Sequence, residues 1–266
     1  MPSFHRFLLP AAAIAVTVSG AALALAAKDD AATAAIRAAV AAPTRTPANK
    51  ARDIYRHPVE TLSFFGVKPG QTVAEYSPGG GWYTEVLAPL VGPKGKLYGL
   101  VSARGMDSFK KKLASDPAYA KVVPVEFPSA TGLPANSVDT LLTFRNVHNM
   151  IMGGTAPQTF KAFFAMVKPG GTLGIVDHRL PEARDSAMEM TSGYLKVSTV
   201  RKLAEDAGFE YVGASEVNAN PRDKADYPKG VWTLPPTYTL GDTDRATYAA
   251  IGESDRMTLK FRKPLK

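Results

Sequence analysis

Strand-like and helix-like stretches alternate along this chain, and that alternation limits the fold more than any other feature. Short apolar runs predict strands over 72–76, 96–101, 121–127, 138–144, 172–177 and 209–217. Helices are predicted between them, over 82–90, 106–119, 156–167 and 197–207. Gly92-Pro93 ends the first of these helices and Lys168-Pro169-Gly170 stops the third. A further helix precedes the first strand, with Ile54, Val59, Leu62 and Phe65 on one face and Gly66 and Pro69-Gly70 as stops. The alternating run RMTLKFR, 256–262, fits a final strand at a sheet edge. Strands alternating with helices imply an α/β fold, a doubly wound parallel sheet covered on both faces. Ligands then bind outside the carboxyl ends of the strands, where the strand order reverses.

The loop after the first strand reads EYSPGGG, Glu75 to Gly81, and a predicted helix follows it directly. A glycine-rich turn between a strand and a helix is the context a nucleotide-binding loop requires. Glycines let the backbone take left-handed angles and approach a ligand closely, and the helix N-terminus favours an anionic group. The alternative is a tight turn that happens to be glycine-rich. The first small residue of the loop is Ser77, and the second strand ends in Val101.

The spacing acid-x-small-x-Gly-x-Gly, followed after a helix by GPKGKLYGL and later by FKAFFAMVKPGGTLGIVDHR, resembles class I S-adenosylmethionine-dependent methyltransferases. RNVHNM, VDHR, NANPRD and WTLPP, within 52–264, resemble a bacterial exported group described as predicted methyltransferases. The resemblance implies a Rossmann-like seven-stranded sheet, mostly parallel with an antiparallel edge strand, and S-adenosyl-L-methionine as cofactor. It implies that Glu75 holds the methionine amino group, that Ser77 replaces the usual first glycine, and that Gly79, Gly80 and Gly81 cradle the amino-acid part. Val101 stands where the family has an acid that grips both ribose hydroxyls. Losing that acceptor costs about 1.5–3 kcal/mol, or about one to two powers of ten in affinity. Ser102 is positioned for a weaker ribose contact, and Ser129 falls where an acid near the adenine is usual.

Three histidines, His57, His148 and His178, map to the same rim of the predicted sheet. His148 follows the fourth strand, where the family presents residues to the methyl group, so His148, Asn146 and Asn149 are the first catalytic candidates. His178 ends the fifth strand and joins them. Methyl transfer needs alignment and, for an oxygen or nitrogen nucleophile, removal of a proton. His148 is either that general base or a histidine that shapes its loop through a backbone carbonyl. Asp177 is placed to orient His178 or to pair with Arg179. His148, Asp177 and His178 are acceptable metal ligands, but no two share a close helical ligand spacing, so no metal is expected. Arg52 and Arg56 are candidates for an acidic substrate or the cofactor carboxylate, or else solvate a helix. Residues 218–238 form a proline-rich insertion of the kind that serves as a lid, with Trp232 as its aromatic anchor.

The N-terminus has Arg6, an apolar run from Phe7, and a small-x-small site at Ala24-Leu25-Ala26. That is the pattern of a secretory signal peptide over 1–26, cleaved after Ala26; the alternative is an uncleaved anchor. An Ala/Pro-rich linker outside the main fold is expected over 27–50, and the methyltransferase-like domain over 51–266. The chain has no cysteine, which excludes disulfides and thiolate catalysis. Its formal charge of +8 is scattered and carries no nucleic-acid motif. The expectation is a periplasmic methyltransferase acting on a small molecule, without stable membrane association once the signal is removed. Because S-adenosylmethionine is made in the cytoplasm, the alternatives are a periplasmic ligand-binding protein on the same scaffold, or an enzyme that uses the sulfonium differently.

Overall fold

The computed structural model describes residues 20–129 and 133–266. The expected signal peptide lies outside the described residues up to position 19. The elements run α1 (Gly20–Ala41), α2 (Pro47–Lys50), α3 (Asp53–Arg56), α4 (Pro58–Phe65), β1 (Thr72–Tyr76), α5 (Thr84–Val91), β2 (Lys96–Val101) and α6 (Ala103–Ala114). They continue with β3 (Val122–Glu126), β4 (Val138–Phe144), α7 (Val147–Met152), α8 (Ala156–Met166) and β5 (Val167–His178). The chain ends with α9 (Val197–Asp206), β6 (Glu210–Ser215), α10 (Arg245–Ile251) and β7 (Arg256–Arg262).

The seven strands form one sheet in the order β3-β2-β1-β4-β5-β7-β6. All pairs among β1 to β5 are parallel, and β7 runs antiparallel to both neighbours, one place in from β6. β7 is almost wholly buried and β6 alternates between exposed and half-buried, so the more apolar strand takes the inner place. One face of the sheet packs against α7, α8 and α9 through Phe160, Phe163 and Val200. The other packs against α4, α5 and α6 through Phe65, Leu87 and Phe109, and Ile36 of α1 joins the same apolar cluster.

Three expectations change. The segment 27–50 is not a linker outside the fold: α1 packs on α4 and α5, and Ile36 is fully buried. Arg45 then forks onto Asp53 with two bonds of 2.7 Å, and the Thr46 N–H donates to Glu85 at 3.0 Å. The helix expected before β1 is broken. His57 takes the left-handed conformation at φ 40° and Pro58 starts a new helix, because a residue before proline is driven out of the helical region. Ile54 is consequently 69% exposed rather than on a buried face. Finally, Lys168-Pro169-Gly170 does not separate α8 from a strand starting at 172. β5 starts at Val167, and a register shift between Val138 and Thr140 accommodates the irregular start.

Candidate functional site

The strand order reverses between β1 and β4, and a cavity of about 230 Å³ lies at their carboxyl ends. Glu75, Ser77, Gly79, Gly80 and Asn146 line it, as do Arg52, Arg56 and Arg145. Asn49, from the supposed linker, supplies part of the wall. It is held there by the Trp82 indole N–H, which donates to the Asn49 carbonyl at 2.8 Å.

Ser77 adopts φ 49°, the left-handed turn that a glycine would take, and Gly79 and Gly81 follow at φ 57° and 79°. The Ser77 N–H still donates to the Leu100 carbonyl at 2.8 Å, so the loop stays pinned to β2. A Cβ added at Gly79 or Gly80 would meet open space, so the bare backbone there leaves room for a ligand. Gly81 lies behind it, against the Lys112 side chain, and starts the turn into α5.

Glu75 is 3% exposed, and burial pushes its carboxyl up to about 7. The Thr84 hydroxyl donates to it at 2.6 Å and moderates that rise. Across the cavity the sign reverses. Glu253 receives Arg52 at 2.6 Å, Arg56 at 3.5 Å and Arg256 at 3.3 Å. Burial and the neighbouring Arg145 lower Arg56 to about 10. Its guanidinium stacks over Trp82 at 4.7 Å, yet its Nη2 is buried without a partner. These features fit the aminocarboxylate end of S-adenosylmethionine: a buried acid for the ammonium, bare glycine backbone, and a guanidinium with one unpartnered nitrogen for the carboxylate.

The other end of that ligand finds less. Val101 is buried and its methyl packs toward Gly105. Ser102 caps α6, accepting from the Gly105 N–H at 3.3 Å, and Ser129 donates to the Glu126 carbonyl at 3.1 Å. Both serines are exposed, and neither lines the cavity.

A second chamber of about 200 Å³ adjoins, lined by Arg145, His148, Asn149 and His178 and by Trp232 and Pro235 of the insertion. Residues 218–238 thus cover the histidines, with the Trp232 ring 6.0 Å from His148. A small apolar cluster of Leu180, Tyr194, Ala225 and Val231 anchors the insertion.

His148 is the second residue of α7 and is 4% exposed. Its Nδ1 meets Asp177 Oδ1 at 2.8 Å. Asp177 also accepts from the N–H groups of Val147 at 2.7 Å, His148 at 3.3 Å and His178 at 2.8 Å. One buried carboxylate therefore caps the start of α7 and fixes the histidine ring, leaving Nε2 as the other nitrogen. Neither role foreseen for Asp177 occurs: it does not orient the His178 ring, and Arg179 pairs with Asp255 at 2.8 Å instead. His178 binds the Ser254 hydroxyl through Nδ1. Burial first, then nearby His148 and the arginines, hold it well below the usual histidine range, so it is neutral. His57 does not join the other two. It lines a separate cavity beside Asn218 and Arg222, with a buried Nδ1 that lacks a partner.

Asn146 donates to the carbonyls of Tyr76 and Phe144, both at 3.1 Å, and so ties the ends of β1 and β4 together while facing the first cavity. Asn149 is exposed at the mouth of the second. Sequence spacing set metal binding aside, but the fold brings ligand atoms of His148, Asp177 and His178 within 4.8 Å of one another. Asp177 is already engaged by four N–H donors, and Arg145 and Arg256 add positive charge around His178. Both features oppose a cation.

No protein-family model matches this chain, and no curated protein is similar to it. Solved structures do match. A SAM-dependent methyltransferase from Aquifex aeolicus is 23% identical with a TM-score of 0.54, covering 70% of this chain and 93% of its own. An arsenic(III) S-adenosylmethionine methyltransferase from Chlamydomonas reinhardtii is 17% identical with a TM-score of 0.51, covering 86% and 73%. The [4+2]-cyclase SpnF is 14% identical with a TM-score of 0.57, covering 88% and 93%. The fold is therefore the Rossmann-like fold of class I S-adenosylmethionine-dependent methyltransferases. That scaffold also carries a cyclase, so chemistry must be argued from the site.

Proposed function

We propose that this protein is a S-adenosylmethionine-dependent methyltransferase acting on a small molecule. The observation that carries the reading is the pairing of the Glu75 and glycine-loop cavity with a neighbouring chamber that holds an Asp177-oriented histidine. When bound, S-adenosylmethionine supplies an electrophilic methyl group on its sulfonium. Of the residues lining the first cavity, Glu75 would hold its ammonium, Arg56 would hold its carboxylate, and the bare backbone of Gly79 and Gly80 would leave it room. In the second chamber His148 Nε2 takes the proton from an oxygen or nitrogen nucleophile. Asp177 keeps the other ring nitrogen protonated and stabilises the imidazolium as the proton arrives. Trp232 and the prolines of the insertion shield the chamber from water.

Incubation with methyl-labelled S-adenosylmethionine and a periplasmic small-molecule extract tests this reading. Label is expected in an acceptor fraction, with one S-adenosylhomocysteine formed per methyl transferred. Tight binding of the cofactor without any transfer would leave a ligand-binding protein.

Export fits the same reading. Cleavage after Ala26 would remove the first turns of α1 and keep Ile36 and Ala39, which pack on the domain. Among the described residues no helix is long and apolar enough to cross a membrane. Mass spectrometry of periplasmic extract is expected to find a chain beginning at Ala27. Recovery of the uncleaved chain in the membrane fraction would contradict this.

A further inference from the structure

Four arginines, Arg52, Arg56, Arg145 and Arg256, gather around the site, and they are not equivalent. Arg52, Arg56 and Arg256 share the single carboxylate of Glu253. Arg145 makes no ion pair among the described residues, because Glu253 is shared by the others and Asp177 is taken up by His148 and backbone N–H groups. Burial first, and then nearby Arg256, lower Arg145 to about 10, while the charges of Glu253 and Asp177, neither of them ion-paired with it, partly offset that fall.

Its position is as unusual as its pairing. Arg145 follows β4 in the left-handed conformation at φ 60°, held by its N–H to the Val176 carbonyl at 2.7 Å. Strain of this kind persists where surrounding structure enforces it and is concentrated at working sites. The turn places the side chain in the wall common to both cavities. Arg52 and Arg56 line the first cavity only. The second chamber contains no carboxylate among its lining residues. Besides Arg145 its titratable lining residues are His148 and His178, so Arg145 is the chamber's one permanent charge among the described residues.

We propose that Arg145 is the receptor for an oxyanion group, carboxylate or phosphate, carried by the methyl acceptor. The assignment to the acceptor rests on the methyltransferase reading. A guanidinium offers a planar fork that matches two oxygens of such a group. An acceptor anchored there places its nucleophile in the chamber that contains His148. The first cavity keeps Arg56 for the cofactor's own carboxylate, so the two anions have separate partners.

The test uses inorganic phosphate and acetate as probes, titrated by calorimetry into the protein alone and into protein saturated with S-adenosylhomocysteine. At least one probe is expected to bind in both states, and the tighter of the two identifies the kind of group. Arg145→Met should weaken that binding by about tenfold to a hundredfold. Arg145→Lys, which keeps the charge and loses the fork, should fall between. Thermal melts of both variants check that they remain folded. Competition between the probe and S-adenosylhomocysteine would overturn the proposal, since Arg145 would then serve the cofactor carboxylate. Unaltered probe binding in folded Arg145→Met would also overturn it. Arg145-dependent probe binding in a protein that fails to bind S-adenosylhomocysteine would uphold the oxyanion receptor and remove the methyl-transfer reading.

Discussion

Glu75→Gln is expected to stabilise the unliganded protein while weakening its hold on the cofactor. Glu75 is buried, and its carboxyl is raised from 4.5 to about 7. A raised acid penalises the fold only where it must ionise. The penalty is absent below about 4.5, grows as pH rises, and is complete above about 7. A shift of that size corresponds to on the order of 3 kcal/mol. Glutamine removes the penalty and can still accept from the Thr84 hydroxyl. Melts at pH 8 should therefore rise by several degrees in the variant, and melts at pH 4 should coincide with the unaltered protein. Binding runs the other way, because an ammonium prefers the ionised acid. Affinity for S-adenosylhomocysteine should increase as pH rises toward 7, and Glu75→Gln should lower it by about tenfold to a hundredfold. A variant that melts lower than the parent at pH 8 would mean that Glu75 is ionised and partnered in the fold.

His148→Ala should separate chemistry from binding. Removing a general base lowers turnover by about 10²–10⁴-fold. Affinity for S-adenosylhomocysteine should change little, since His148 lines the second chamber and not the first. Labelled methyl transfer and calorimetry on the same preparation give both numbers. Equal losses in binding for His148→Ala and Glu75→Gln would mean that His148 holds the start of α7 in shape and is no base. Full turnover in His148→Ala would mean that alignment alone suffices. His178 is a poorer substitute, because burial and the positive charges around it make it a weak proton acceptor and its Nδ1 is tied to Ser254.

The sheet was legible in the sequence because its strands are continuous apolar runs bounded by Gly and Pro, and β1, β2, β4 and β7 have the predicted limits. The glycine loop was legible because its backbone angles demand particular residues; Ser77 accepts the left-handed turn that glycine would take more easily. The packing of 27–50 was not legible. An alanine-rich helix has little amphipathic contrast, and its attachment depends on Ile36, Arg45 and Thr46 meeting distant partners. The partner of His148 was hidden for a related reason. Asp177 lies 29 residues away on the neighbouring strand, and only the β4–β5 pairing brings the two together. The predicted topology put His148 and His178 at one rim, but nothing in the spacing showed that Asp177 would hold the His148 ring, or that Arg145 would make no ion pair among the described residues. Such facts belong to the folded arrangement of charges, not to any local pattern.

The central claim is that the cavity at the ends of β1 and β4 holds the aminocarboxylate part of S-adenosylmethionine, with Val101 leaving the ribose poorly held. Calorimetric titration of the protein with S-adenosylhomocysteine at pH 8 tests it most directly. The expected result is one site per chain with a dissociation constant in the micromolar range or weaker, lost in Glu75→Gln to the extent given above. No heat of binding at millimolar ligand would contradict the claim.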